Sequence, residues 1–286
     1  MKTMCTWEQI ERYRDRTHRR TTRRAVRTKA GTLRFVEEVG FCFAFKAEHS
    51  ELPCLWNAVC GERTPVFPEH THHDPAISFV WRMKDTLPAE GKVYYGKLLR
   101  SRPTMVSLEF LPAFFVLSGR RGGKEEYLED FARGRMSPVA RDILEALYDS
   151  SPQSTRGLKI ATAQMSKTRR VQFDRAMAEL QARMYIAKVA EEYEPFGFVW
   201  SPMERAFPSL IRTVRRLSSE AARVQILTKY FQTQFTATVD SIARLFRWDK
   251  QSIYAAVGVL TNNGYISNGI RVKGSQRKHY CLVERQ

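Results

Sequence analysis

The alternation of hydrophobic and polar positions is clearest in residues 166–203, where it predicts a helix followed by a β-hairpin. Ser166 is a favourable N-cap residue, and the residues after it place an apolar stripe on one helical face and a polar stripe, rich in arginine, on the other. The apolar stripe consists of Phe173, Ala176, Met177, Leu180 and Met184. Two extended runs follow at 184–189 and 196–200, joined by an acidic turn at 191–194. Preceded by two shorter helices, this is the order of a winged helix-turn-helix.

The same order returns at the C-terminus, in residues 218–286. Apolar residues at helical spacing predict one helix around 224–231, a second behind Thr238 and a third after the turn at 247–249. Two strands then form a predicted wing whose loop, 271–278, is strongly basic. Basic side chains in such a loop are well placed to contact phosphates.

The N-terminal region has a less regular pattern. Thr6 can cap a helix in the basic segment 6–34, and the apolar run 33–45 is typical of a buried strand or turn. The remaining predicted elements are helices at 52–60, 76–87 (behind Asp74-Pro75) and 111–117, and strands at 93–100 and 105–108. Helices followed by paired strands indicate another winged-helix-like unit.

These patterns predict an α+β protein built from three tandem winged helix-turn-helix units. The predicted domains are a basic N-terminal helix with a winged-helix-like unit at 1–118, a linker at 119–135, a second winged helix at 136–208 and a third at 218–286. The linker is predicted from the flexible basic loop that starts at Gly119.

Net charge indicates the class of partner. The 286 residues carry 47 Lys and Arg against 30 Asp and Glu, a formal charge of +17, which favours a polyanion such as double-stranded DNA. A membrane surface would also explain the charge, but there is no run of about 18 apolar residues, as a spanning helix requires, and no signal peptide is recognisable. Five cysteines without paired spacing are typical of free thiols in a reducing cytoplasm.

We therefore expect a cytoplasmic, nucleoid-associated monomer that binds duplex DNA. The basic residues predicted to contact DNA are Arg19, Arg20, Arg23, Arg24, Arg169, Arg170, Arg271, Lys273, Arg277 and Lys278. A charge run in a helix is more commonly a solvated face, and winged helices also serve as dimerisation or structural units.

Several stretches resemble the AlkZ/YcaQ class of bacterial DNA glycosylases. They are the early apolar segment with its Leu55-Trp56 helix, the middle-unit run 173–180 and the C-terminal wing. The AlkZ-related branch is the most similar, on residues 84–88 (KDTLP) and 94–99 (YYGKLL). The resemblance implies that the three winged helices form a basic, concave DNA-binding face and that the N-terminal unit holds a base pocket. It also implies hydrolytic removal of a modified base without a cofactor. Such a base must be flipped out of the duplex into a pocket.

The chain departs from the family's catalytic signature, a Gln-x-Gln or Gln-x-Asp pair. The matching positions after Gly40 are Cys42 and Ala44, and neither side chain can polarise a water molecule. Another carboxylate or amide must then stabilise the oxocarbenium-like sugar and orient the water. The residues with suitable chemistry are Asn57, Asp85 and Lys84 as catalytic groups, and Trp56, Trp81, Tyr94, Tyr95 and Lys97 as substrate-binding groups.

Other interpretations remain open at this stage. Asn57 can be an ordinary core amide, Lys84 and Asp85 surface charges, and the tyrosines sheet packing. The chain can also be a non-catalytic DNA-binding regulator, or a glycosylase that acts on bulky modified bases of phage DNA rather than in repair of alkylated DNA. His70, His72, His73 and Asp74 lie close together in sequence, but without a Cys or Glu at ligand spacing we expect a solvated loop and no metal site.

Overall fold

Helices begin where the sequence supplies a capping side chain. In the computed structural model, which describes residues 4–45, 52–123, 125–163 and 165–283 apart from the side chains of His72, Lys167 and Thr168, most of the longer helices have a Ser, Thr or Asp oxygen on a backbone N–H of their first turn. These caps are Thr6, Thr28, Asp74, Ser137, Ser154, Ser166, Ser218, Thr238 and Asp249. Loss of such a cap typically costs about 1 kcal/mol.

The described helices and strands alternate along the chain. The helices are α1 Trp7–Thr17, α2 Lys29–Val39, α3 Leu55–Cys60, α4 Pro75–Ala89, α5 Leu111–Leu117, α6 Glu126–Ala132, α7 Pro138–Asp149, α8 Thr155–Ala161, α9 Lys167–Ala182, α10 Met203–Ala206, α11 Leu210–Val214, α12 Ser219–Gln234, α13 Val239–Phe246 and α14 Lys250–Asn262. The strands are β1 Met4–Cys5, β2 Phe41–Phe43, β3 Val93–Lys97, β4 Pro103–Ser107, β5 Gln153–Ser154, β6 Ile186–Tyr193, β7 Phe196–Pro202, β8 Thr236–Ala237, β9 Ile266–Val272 and β10 His279–Leu282. The predicted α+β class is confirmed.

The chain forms two compact units, and the first joins its two ends: Met1–Arg82 and Ser218–Gln286. The sheet of this unit has the order β1-β9-β10-β8, with β1 parallel to β9. Helix α1 packs on α12, where Tyr13 Oη donates to the Gln232 carbonyl at 2.7 Å and Arg14 Nε to that of Gln234 at 3.2 Å. N-terminal and C-terminal segments therefore share one core.

The second unit comprises Met83–Leu217. Strands β3 and β4 form an antiparallel hairpin, and β5, β7 and β6 form a sheet against which α7, α8 and α9 pack. Strand β3 is tied to the end of α9, because Tyr94 Oη donates to the Gln181 carbonyl at 3.2 Å and the backbone N–H of Lys97 to Gln181 Oε1 at 3.1 Å.

The central helix and hairpin are confirmed, with one correction at the hairpin. The predicted apolar stripe of α9 is buried in the core of the second unit. Met184 is also buried, but it lies beyond the helix end in a left-handed conformation. Strand β6 continues to Tyr193, so Glu191 belongs to the strand and the turn consists of Glu194 and Pro195. Helix α2, in contrast, was not predicted.

The domain boundaries also need correction. The structure groups residues 83–118 with the second unit and 218–283 with the first, which differs from the predicted division at 118, 136–208 and 218–286. Residues 119–135 are not a free linker: they include α6, and Arg120 is only 2% exposed. The Arg120 guanidinium forms ion pairs with Glu126 and Glu204 and lies 4.0 Å from the Tyr185 ring centroid.

Replacing Arg120 with alanine should destabilise the second unit. Glu126 and Glu204 would lose their shared cation, and breaking a buried ion pair typically costs about 3–5 kcal/mol. Urea unfolding followed by circular dichroism would measure the loss. The matched control is Arg133→Ala, whose side chain is 61% exposed and which should change stability by less than about 0.5 kcal/mol. Equal effects of the two substitutions would contradict a structural role for Arg120.

Candidate active site

A group of four charged side chains lies in the second unit where α4 meets β6. Asp85 Oδ1 is 2.5 Å from Lys84 Nζ and 2.6 Å from Lys188 Nζ. Glu191 Oε1 is 2.5 Å from Lys188 Nζ and 3.8 Å from Lys84 Nζ. We refer to Lys84, Asp85, Lys188 and Glu191 as the Lys–carboxylate cluster. It joins residues 103 positions apart in sequence.

A β-bulge brings Lys188 and Glu191 to the same face of the strand. In a regular strand, residues three apart point to opposite faces. Here Lys188 pairs with Trp200 and Ala190 pairs with Val199, so one extra residue, Val189, lies in β6 between consecutive pairs. The insertion shifts the alternation by one residue, and Glu191 therefore shares the face of Lys188.

Two aromatic rings border the cluster. The Lys188 ammonium lies 4.4 Å from the Phe198 ring centroid and 5.3 Å from that of Tyr95. Lys84 Nζ is 5.6 Å and 6.0 Å from the same two rings. Cation–π attraction of this kind stabilises a desolvated ammonium. Aromatic rings are also the side chains that commonly hold a flipped base.

The cluster is largely buried, and its two carboxyl groups titrate differently. The side chains are 1% exposed for Lys188, 4% for Glu191, 12% for Lys84 and 16% for Asp85. Burial would raise the pKa of Asp85, but hydrogen bonds from Glu191, Lys188 and Lys84 more than offset it, so the pKa is lowered. Burial, together with the hydrogen bond to Asp85, raises the pKa of Glu191 above its ordinary value. Asp85 is therefore the more acidic member of the pair.

The structure brings together only some of the predicted site residues of this unit. Lys84, Asp85 and Tyr95 meet in the cluster, whereas Tyr94 is fully buried and bonds to Gln181. The alternation of β3 explains the difference, because neighbouring strand residues face opposite sides. Tyr94 is thus core packing and cannot line an open pocket. Lys97 is exposed at the end of β3.

Lys188, Glu191 and Phe198 were not predicted. A lysine three residues before a glutamate in an apparently regular strand carries no sequence signal, because the bulge is invisible in the pattern. The acidic composition of 191–194 suggested a solvated turn.

Asn57 and Trp56 belong to the first unit, on the short helix α3. Asn57 is 6% exposed, and its Nδ2 donates to the carbonyls of Arg63 at 2.7 Å and Glu62 at 3.3 Å. Its Oδ1 is a buried acceptor without a hydrogen-bond partner among the described residues. The Trp56 ring packs 5.7 Å from Phe67, as measured between centroids. Trp81, which was predicted to wall the pocket, is partly buried on α4 in the same unit.

The two positions that match the family's glutamine pair are enclosed. Cys42 and Ala44 are both fully buried, and Ala44 accepts through its carbonyl from the backbone N–H of Trp56 at 3.1 Å. Burial raises the pKa of Cys42 well above its ordinary value, and the neighbouring Cys54 adds to this. A neutral buried thiol and a methyl group supply no water-polarising function.

The predicted DNA-binding arginines differ in availability. Arg19 pairs with Glu38 at 2.6 Å and Arg20 with Glu11 at 2.8 Å, and their side chains are only 17% and 11% exposed. Both arginines are therefore already engaged in ion pairs within the first unit. The remaining predicted residues are exposed: Arg23, Arg24, Arg169, Arg170, Arg271, Lys273, Arg277 and Lys278.

Neither a metal centre nor a spanning helix is visible in the described part of the chain. There, no three His, Cys, Asp or Glu side chains come together in a metal-binding group. The predicted histidine loop is covered incompletely, because the His72 side chain is outside the description. Among the described helices, none is both long and apolar enough to cross a membrane.

Comparison with known proteins identifies the family. The family model described as AlkZ related matches residues 26–247. The chain belongs to the AlkZ-related family. Its fold is similar to that of the Streptomyces sahachiroi DNA glycosylase AlkZ, with a TM-score of 0.60 and 13% sequence identity over 98% of this chain and 70% of the other. No curated protein sequence matches it.

Membership of the AlkZ-related family makes the state of Cys42 informative, and we expect it to be unreactive. The thiolate form of cysteine attacks iodoacetamide and displaces iodide, and burial disfavours both access and ionisation at Cys42. Native protein treated at pH 7 and analysed by mass spectrometry should show Cys42 unmodified. The half-buried Cys60, whose pKa is raised to about 11 by burial and nearby carboxylates, should react slowly. In urea, all five cysteines should react. Rapid native labelling of Cys42 would contradict the buried assignment.

Proposed function

We propose that this protein is a DNA glycosylase that hydrolyses the bond between a modified base and C1′ in duplex DNA. The observation that carries the proposal is an ionised, partly exposed Asp85 held by two lysines beside aromatic rings, in a member of the AlkZ-related family. We propose an alkylated or bulky hypermodified base as substrate, in repair or in defence against phage DNA. The AlkZ protein of Streptomyces sahachiroi is named as a DNA glycosylase, which agrees with this activity.

The chemistry asks for a fixed negative charge and a positioned water. Departure of the base leaves positive charge on the sugar, which a nearby carboxylate stabilises, and the same carboxylate can orient the attacking water. Asp85 supplies that carboxylate, since its lowered pKa keeps it ionised. Lys84 is the neighbouring donor that can hold the departing base. Asn57 of the first unit, whose amide oxygen is a buried acceptor, is proposed separately as a further water-holding group.

DNA binding is proposed to use the C-terminal wing. Residues 266–282 carry Arg271, Lys273, Arg277 and Lys278 and no acidic residue. Residues 186–202, the β6–β7 hairpin, carry three glutamates and only Lys188, which is buried. Phosphates attract the first wing and repel the second. The order of α12, α13, α14 and the β9–β10 wing supports a winged-helix mode of binding, with α14 as the groove-facing helix.

A non-catalytic DNA-binding protein is the second candidate. It is favoured by one observation, the buried Cys42 and Ala44 at the positions of the family's glutamine pair. Under this alternative the basic wing would still bind DNA, and the Lys–carboxylate cluster would have only a structural role.

Replacing Asp85 with asparagine should abolish most base release without weakening DNA binding. The substitution keeps the volume and removes the charge, and loss of one well-placed electrostatic group costs a factor of about 100 to 1000 in rate. Single-turnover release from duplexes with alkylated or hypermodified bases, followed by alkaline cleavage at abasic sites, would measure it. Asn57→Ala should give a loss of similar size.

The matched control for these variants is Glu90→Gln, because Glu90 is a surface carboxylate paired with Lys92 at 3.6 Å in the same unit. It should leave the rate unchanged. Wild-type rates in both Asp85→Asn and Asn57→Ala would rule out both proposed groups. No release by the wild type from any modified duplex would leave the non-catalytic candidate.

Neutralising the C-terminal wing should reduce the salt dependence of DNA binding. Each phosphate contact contributes about 0.9 to the slope of log K against log salt, so Arg271→Ala with Lys273→Ala should lower its magnitude by about 2. Fluorescence anisotropy with an unmodified duplex at several salt concentrations would measure the slope. Glu192→Gln with Glu194→Gln, in the acidic hairpin, is the control. An unchanged slope in the first pair, with a reduced one for Arg169→Ala and Arg170→Ala, would assign the contact to α9 instead.

A further inference from the structure

Lys188 and Glu191 have no part in the chemistry proposed above, although both are almost completely enclosed. Lys188 is 1% exposed and Glu191 is 4% exposed, while Asp85 reaches the surface at 16%. Burying charged groups is costly unless each is paired, and well-packed apolar residues would serve stability as well. Groups of this kind with perturbed titration concentrate at functional sites.

Lys188 is not placed to act as a nucleophile. Its ammonium lies 2.6 Å from Asp85 Oδ1 and 2.5 Å from Glu191 Oε1 and donates a hydrogen bond to each, which favours the protonated amine. An amine nucleophile needs the opposite environment, which is apolar or cationic and lowers the lysine pKa. The contacts of Lys188 instead make it a bridge between the two carboxyl groups.

We propose, on the basis of the glycosylase function above, that Lys188 and Glu191 are positioning residues that let the two carboxyl groups share one proton, kept on Glu191, so that Asp85 remains a carboxylate. Both carboxyl groups contact the same ammonium, and two negative charges placed against one cation oppose each other's ionisation. The geometry favours Asp85 as the ionised one. It has two ammonium groups within 2.6 Å, whereas Glu191 has one at 2.5 Å and the other at 3.8 Å.

The groups that face the pair come from each element packed against it. Helix α4 contributes Lys84, β6 contributes Lys188 and the exposed Tyr193, β3 contributes Tyr95, and β7 contributes the uncharged Phe198. Tyr193 Oη donates a long hydrogen bond of 3.3 Å to Glu191 Oε2, which stabilises the charged form of Glu191 less than the two short ammonium contacts stabilise that of Asp85. The pKa directions, lowered for Asp85 and raised for Glu191, follow the same division.

The proposal predicts how base release depends on pH. Asp85 acts as a carboxylate, so the rate falls as pH drops through its pKa, and a lowered pKa keeps the enzyme active to lower pH. This fall in rate at low pH is the acid limb of the profile. Lys188→Met removes one cation at nearly constant volume and should move the acid limb upward by about one to three pH units. Glu191→Gln keeps a donor to Asp85 and should leave the limb in place. Glu191→Leu removes the donor and should move it upward.

The test measures single-turnover base release by the full chain from alkylated duplex DNA between pH 4 and 8, after subtraction of spontaneous loss. Duplex affinity at each pH is measured in parallel, and Lys92→Met, an exposed lysine in the same unit, is the control. The Asp85 carboxyl carbon is also titrated by ¹³C NMR, with Asp85→Asn for assignment. Upward movement of both the limb and the Asp85 titration in Lys188→Met, with neither moved in Glu191→Gln, supports the proposal.

The contrary outcomes are distinct. A rate that falls equally at all pH values in Lys188→Met, with the Asp85 titration unmoved, would show a merely structural role and overturn the proposal. If Lys188→Met does not fold, Glu191→Gln and Glu191→Leu are compared instead. An acid limb that moves upward only in Glu191→Leu supports the proposal, and equal limbs in the two variants overturn it. If the wild type releases no base at any pH, the glycosylase function fails. The NMR titration still decides the shared proton, because an Asp85 pKa that is the same in the wild type and Glu191→Leu overturns it.

Discussion

The ammonium of Lys188 has to be neutralised inside the second unit, and the elements around it are arranged by that requirement. Asp85 from α4 supplies the negative charge, Glu191 from β6 supplies a second oxygen contact, and rings from β3 and β7 lie beside the ammonium. A buried charge without partners would cost far more than any single apolar contact returns. The cluster therefore fixes the position of α4 against β6 while it assembles a group of side chains with acid–base potential.

The hydrophobic periodicity of the sequence was sufficient to predict helices that bury one face. The stripe of α9 and the caps at Ser166 and Thr238 illustrate this, because both depend on residues within one or two turns. The linker prediction at 119–135 failed because the contacts of this segment are made by residues far away in sequence. Gly119 and its basic neighbours have the composition of a flexible loop, yet Arg120 is buried by partners that are remote in sequence, such as Glu204. Composition describes a segment alone and cannot supply such a partner.

In the candidate site, too, some residues could be predicted from the sequence and others depend on partners in a neighbouring strand. Lys84, Asp85 and Tyr95 could be selected from the sequence by their chemistry, and they lie together in the structure. Their partners Lys188 and Glu191 could not, because Val189 inserts a bulge that reverses the expected alternation. A bulge depends on pairing with the neighbouring strand, so no count of polar and apolar positions within β6 reveals it. Tyr94 could have been separated from Tyr95 by strand parity alone, since one of the two had to face the core.

The residues that give the protein its positive net charge are different from those of the Lys–carboxylate cluster proposed to act in base release. The +17 charge is a sum over the whole sequence, and some of its positive charges, including those of Arg19 and Arg20, are already paired inside the first unit. The Lys–carboxylate cluster, with two lysines, the Asp85 carboxylate and the proposed protonated Glu191, carries a net charge of only one. Attraction to phosphates decays with salt, whereas contacts inside a buried cluster are screened little. Salt should therefore govern how tightly DNA is held, while pH, through the shared proton of Asp85 and Glu191, governs what happens once it is bound.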